Sequence, residues 1–68
     1  MTVQEVEQIR EKTGMDLYGF SRELGYSHAT YYLALRRGRL SRGFRAAVEL
    51  RFRKFLRDVK AEHSEEPN

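Results

Sequence analysis

Three glycines divide this chain, and each is followed two or three residues later by a side chain that caps helices: Gly14 by Asp16, Gly25 by Ser27 and Gly38 by Ser41. Glycine takes the left-handed conformation that ends a helix, and Asp or Ser accepts from the unpaired N–H groups that begin the next. Between these marks apolar residues recur at spacings of three and four, the period of a helix. No run alternates β-branched with polar residues as a strand would. The pattern predicts an all-α fold, a small bundle of four helices. At 68 residues there is room for one domain. A domain of this size buries only about 60 % of the surface its unfolded chain exposes, and without cysteine no disulfide supplements the core. Self-association is the simplest remaining source of stability.

The first helix reads TVQEVEQIREKTG, with Thr2 and Glu5 at capping-box spacing and Val3, Val6 and Ile9 on a narrow apolar stripe. The second, DLYGFSRELG, starts at Asp16 and aligns Leu17, Phe20 and Leu24 on one face. Gly19 inside it costs about 1 kcal/mol against alanine, which points to close packing there. In the third, SHATYYLALRR, one face holds Thr30, Tyr31, Ala34 and Leu35. The other holds His28, Tyr32 and Arg36, with Ala29 and Leu33 beside them. A long fourth helix starts after Ser41. Turned at 100° per residue, its Phe44, Phe55, Val48, Val59, Phe52 and Leu56 share one wide arc, and Leu50 falls outside it. That arc is wide enough to cover a core and to meet a second subunit, so Phe52, Phe55, Leu56 and Val59 are the expected dimer contacts. The domain is predicted over 1–62, with a disordered polar tail, HSEEPN, over 63–68.

Charge is strongly segregated. Residues 1–35 balance to −2 and residues 58–68 to −3, but residues 36–57 carry nine basic side chains against Glu49 alone, a balance of +8. Eight of the nine are arginine, whose planar fork suits phosphate and guanine edges. A solvated helix face ordinarily mixes signs, and this block barely does.

Residues 16–38 read as helix, tight glycine turn, helix. Gly25 permits the sharp exit, Tyr26 plugs the angle between the two helices, and Ser27 caps the second. The run LGYSHATYYLALRRG resembles the helix-turn-helix of the Cro/repressor-like (lambda-repressor-like) family of transcription regulators, through Leu24, Gly25, Tyr26, Ser27 and Gly38. The resemblance extends over about residues 3 to 57. Two positions depart from the family pattern: the interval from Gly25 to Gly38 is one residue longer, and Ser21 stands where alanine is usual. The longer interval is also similar to the homeodomain-like helix-turn-helix of recombinases and small excision factors.

The resemblance implies a recognition helix over 28–37 lying in the major groove of double-stranded DNA. Ser27, His28, Ala29, Tyr32 and Leu33 would meet base edges, Ala29 and Leu33 through thymine methyl groups. Arg36, Arg37 and Arg39 would grip phosphates, with Tyr18, Arg22 and Arg42 as further phosphate contacts. Tyr31 belongs to the core, since it shares a face with Ala34 and Leu35. Arg51, Arg53, Lys54 and Arg57 are expected to serve solubility or to pair with Glu5 or Glu7.

The expected protein is therefore a DNA-binding transcriptional regulator, a homodimeric repressor of the phage or mobile-element type, cytoplasmic and not an enzyme. No dry constellation of nucleophile, acid and base is available, phosphate-binding glycine loops are absent, and no metal or other cofactor is expected. No apolar run approaches a membrane span, and the acidic amphipathic start does not read as a signal peptide. Two alternatives stand beside this reading: a protein-interaction module docking an acidic partner through the phenylalanine-rich fourth helix, and a recombination or excision accessory factor.

Overall fold

A computed structural model of the chain describes residues 1–64, with side chains described through Ala61. These residues form five helices and no strand: α1 (Val3–Thr13), α2 (Leu17–Glu23), α3 (His28–Arg37), α4 (Arg42–Arg51) and α5 (Arg53–Ser64). The fold is the small all-α bundle that the periodicity predicts. α2 packs on α3, while α5 packs on both α1 and α4. None of these helices is long and apolar enough to cross a membrane.

The capping residues act locally, as their chemistry requires. Thr2 Oγ1 accepts from the Glu5 N–H at 3.1 Å, and Glu5 Oε1 accepts from the Thr2 N–H at 2.9 Å, which closes the capping box. Asp16 Oδ1 accepts from the Gly19 N–H at 2.7 Å. A Cβ at Gly19 would lie 3.2 Å from the same oxygen, a tight contact that a small shift of the exposed Asp16 side chain would relieve. At the end of α2, Gly25 has φ +81° and the Tyr26 N–H turns back to the Ser21 carbonyl at 3.0 Å, a Schellman closure. Ser41 Oγ accepts from the Phe44 N–H at 3.3 Å. Ser27 departs from the pattern: its hydroxyl makes no cap bond and lies 3.3 Å from Thr30 Oγ1.

The long fourth helix of the sequence reading is two helices. Phe52, with φ −120° and ψ 36°, breaks the path between α4 and α5, although no glycine or proline stands nearby. The cause is tertiary. A straight helix would separate Val48 from Val59 by about 16 Å along its axis. The bend instead lets Phe44 and Val48 of α4, Phe52 at the corner and Val59 of α5 enter one core with Val6, Ile9, Phe20 and Tyr31. Phe52 stacks on Phe20 with centroids 4.9 Å apart and planes 14° apart. Phe20 and Tyr31, and Tyr31 and Phe44, continue the aromatic chain at 5.4 and 5.3 Å.

This packing takes two of the four expected dimer contacts, Phe52 and Val59, out of a partner's reach. Phe52 and Val59 are buried in the monomer's own core, and Phe55 and Leu56 are half-buried against it. The wide apolar arc exists because α5 must cover both α1 and α4, so little of it is left for a partner. α5 runs to Ser64, so the first two residues of the predicted tail are helical, and residues 65–68 lie outside the described residues.

Candidate nucleic-acid interface

α3 is fixed from one side and bare on the other. Tyr31 and Ala34 are its buried residues. The small Ala34 side chain allows close approach, and Tyr31 reaches across the core to α1, where its hydroxyl donates to Glu7 Oε2. Arg10 completes the cluster. Its Nε donates to Glu7 Oε2 at 3.2 Å, its Nη2 to Glu7 Oε1 at 3.1 Å and its Nη1 to the Met15 carbonyl at 2.9 Å. Burial pushes the Glu7 carboxyl up, but the hydrogen bonds from Arg10 and Tyr31 outweigh it and hold the group below its ordinary range. Burial, and then the bond to Glu7, raise the Tyr31 phenol well above the usual tyrosine value. The bond to Glu7, against a smaller opposing effect of burial, raises Arg10. A buried phenol on a helix face needs a polar partner, and that requirement was the one signal in the sequence for this tie.

The outward face of α3 carries the residues singled out for base contact. His28, Ala29, Tyr32 and Leu33 are all exposed, Tyr32 by 51 % and Leu33 by 44 %. Ser27 stands exposed at its N-terminus. The structure also joins two positions that the sequence left separate. Tyr18, 60 % exposed in the first turn of α2, sets its ring 4.5 Å from that of His28 at a 43° tilt. Around this pair Arg22, Gly25, Tyr26 and Ser27 line an open hollow of about 300 Å³. At the other end of α3, Arg36 sits over the Tyr32 ring at 5.9 Å, within cation–π reach. Beyond it, Arg37 and Arg39 line a second hollow of about 340 Å³ with Leu33, Leu40 and Phe44.

The exposed arginines differ in whether an acid compensates them. Arg22, Arg36, Arg37, Arg39 and Arg42 are exposed and form no ion pair with an acid among the described residues. Arg45 and Arg51 are compensated: Arg45 Nε lies 3.6 Å from Glu49 Oε2, and Arg51 Nη2 donates to Glu23 Oε1 on α2. Arg51 thus has a partner, but on α2 rather than α1, where Glu7 is already engaged by Arg10 and Tyr31. Arg53 and Arg57 on α5 are likewise exposed without an ion pair among the described residues, so unpaired arginines lie both around α3 and along α5.

Gly43 is a structural residue that the sequence reading passed over. A Cβ there would lie 2.6 Å from the Tyr26 hydroxyl and 3.8 Å from its Cζ. Tyr26 in turn packs edge-on against Phe44, centroids 5.3 Å apart. The first turn of α4 therefore leaves out a side chain so that the wedge between α2 and α3 can seat. The phenylalanines expected to form a docking face for an acidic partner are largely spent, since Phe44 and Phe52 are both buried.

No protein-family model, no curated protein and no solved structure matches the chain.

Proposed function

We propose that this protein is a sequence-specific double-stranded-DNA-binding transcriptional regulator of the Cro/repressor-like helix-turn-helix kind, a cytoplasmic homodimer that carries out no catalysis. One observation carries the reading. α3 is anchored through Tyr31 and Ala34, presents His28, Ala29, Tyr32 and Leu33 outward, and is bracketed by arginines that have no acidic partner among the described residues. A rigid exposed helix with mixed polar and apolar side chains suits a major groove, and unpaired arginines at its flanks suit phosphates. In this role Ser27, His28, Ala29, Tyr32 and Leu33 meet bases. Tyr18, Arg22, Arg36, Arg37, Arg39 and Arg42 meet the backbone. The contact between Tyr18 and His28 would hold the imidazole in one orientation at the base edge. Half-sites would repeat about 10 bp apart or at a multiple of that interval.

The test is selection from a random duplex library, followed by fluorescence anisotropy of the winning site and a scrambled control at two salt concentrations. A two-fold symmetric winner bound about a thousand-fold or more tighter than the control supports the reading. His28→Ala and Tyr32→Ala should each reduce discrimination between the two by about 1–3 kcal/mol. Equal, weak and salt-sensitive binding to both duplexes would reduce the basic block to a non-specific electrostatic patch.

A further inference from the structure

Arg36 differs from the other unpaired arginines around α3 in where it stands on the helix. With His28 at zero and about 100° per residue, Tyr32, Arg36, Ala29 and Leu33 fall at about 40°, 80°, 100° and 140°, and the buried Tyr31 and Ala34 at about 300° and 240°. Arg36 is thus opposite the buried pair, in the middle of the arc assigned to bases. Arg37 falls at about 180°, beyond the edge of that arc, and lines the hollow that runs toward Leu40 and Phe44. Direction matters as much as angle. Side chains on a helix lean back over the preceding turn, and Arg36 does so: its guanidinium carbon lies over the Tyr32 ring, 5.9 Å from the centroid. The charge is drawn back onto the outward face of α3 rather than out past the helix end. The ring attracts that charge but supplies no oxygen or nitrogen acceptor, and no acid among the described residues pairs with the guanidinium.

We propose, resting on the DNA reading above, that Arg36 determines specificity by donating to the O6 and N7 of one guanine, and that Tyr32 is the positioning residue that holds it there. Arg36 thereby moves from the backbone contacts to the base contacts, and Tyr32 acts through its ring rather than its hydroxyl. A planar fork with free donors matches the paired acceptors of a guanine edge in the major groove. Holding the fork over a ring before DNA arrives reduces the side-chain freedom lost on binding. A phosphate contact needs neither the central position nor the ring, and Arg37 has neither.

Anisotropy tests this on the selected duplex and on duplexes in which each G·C pair is replaced in turn by A·T, which turns the O6 acceptor into an amino donor. The proteins are the parent, Arg36→Ala, Arg37→Ala, Tyr32→Phe and Tyr32→Leu. All three positions are exposed, so helical circular dichroism should match the parent. In the parent, replacement at one position should weaken binding about five- to 150-fold. Arg36→Ala should abolish that penalty at that position alone, whereas Arg37→Ala should weaken binding to every duplex alike. Tyr32→Phe should keep the penalty, and Tyr32→Leu should reduce it by about two- to fivefold. An Arg36→Ala protein that loses affinity equally for all duplexes, or that keeps every penalty, overturns the base contact. A Tyr32→Phe protein that loses as much as Tyr32→Leu overturns the role of the ring. The ring contact also has a check without DNA: Arg36 side-chain proton resonances should be shifted by the ring in the parent and in Tyr32→Phe, and return to ordinary positions in Tyr32→Leu. A parent without that shift overturns the positioning role. If no form separates the selected duplex from the scrambled control, the DNA reading falls and the guanine contact falls with it. If the parent separates them and only the Arg36 pattern fails, the DNA reading stands without this contact.

Discussion

Helices α3 and α5 are built from similar materials, aromatic rings set among arginines, and the fold uses them in opposite ways. α3 keeps Tyr32 and Leu33 exposed, buries Tyr31 and Ala34 and half-buries Leu35. α5 lies against both α1 and α4, buries Val59 and half-buries Phe55 and Leu56, with Phe52 buried at its start. An aromatic residue beside an arginine is thus no interface signal by itself. What separates the two helices is how much of each the neighbouring helices cover. A helix held from one side through a small residue and one long anchor has a free face, whereas a helix that bridges two others has little.

The largest expected effect tests the buried side of this contrast. Phe52→Ala removes the ring stacked on Phe20 and should cost about 3–5 kcal/mol, read from chemical denaturation. Set against a typical total of about 5–15 kcal/mol, that loss leaves the domain marginal. A melting point left unchanged would return Phe52 to the surface and restore α5 as a docking helix.

Gly43→Ala comes next and probes how α4 meets the turn beneath α3. The new methyl group collides with the Tyr26 hydroxyl, and overpacking of this kind costs about 1–3 kcal/mol. In a Tyr26→Phe background the nearest ring atom is Cζ at 3.8 Å, so the same change should be neutral there or stabilising. A cost that persists without the hydroxyl would place the origin of the strain elsewhere.

A further pair of variants sharpens the comparison of charge. Arg37→Ala, beside the exposed face of α3, should weaken binding to all duplexes and lower the slope of log affinity against log salt by about one. Lys54→Ala on α5 should leave that slope unchanged. Equal effects would mean that DNA, or any polyanion, contacts both helices alike.

The smallest effects concern the anchoring of α3. Ser21 is buried between α2 and its neighbours with no partner for its hydroxyl, so Ser21→Ala should stabilise the fold by about 1 kcal/mol, the lower end of the cost of an unsatisfied buried polar group. The Glu7 carboxyl is held below its ordinary range in the folded protein. Its contribution is therefore complete above the unfolded carboxylate value of about 4.3 and is lost as pH falls through the lower folded value. Tyr31 has the opposite sense. Its raised phenol contributes fully below the ordinary value of about 10 and loses that contribution at higher pH. Denaturation midpoints of the parent and Glu7→Gln should therefore differ near neutrality and converge in acid. A constant difference across pH would remove the ionised cluster as the anchor.

Much of this architecture was legible residue by residue. The capping box of Thr2 and Glu5, the Asp16 cap and the glycine stops at Gly14, Gly25 and Gly38 act within one helical turn, so short-range chemistry is enough to find them. The burial of Tyr31 and the exposure of His28 and Tyr32 follow from the period of a single helix. Less legible were relations between elements distant in the chain. Arg51 chose Glu23 rather than an acid of α1, Tyr18 came to rest against His28, and Gly43 gave way to Tyr26. None of these has a local signature, because each depends on where two helices cross.

The sequence by itself determined that the chain is helical, where its first three helices start and stop, and that a basic block begins in the last turn of the third. Backbone propensity, capping and composition act over a few residues and do not need the rest of the molecule. Only the tertiary structure decided that the last helix bends at Phe52 and that its phenylalanines close the core. It likewise decided that Phe52 and Val59 are buried in the monomer and that Phe55 and Leu56 are half-buried against its core. A core this small can be filled only when α4 and α5 turn around it, and that requirement outweighs the local preference for one continuous helix.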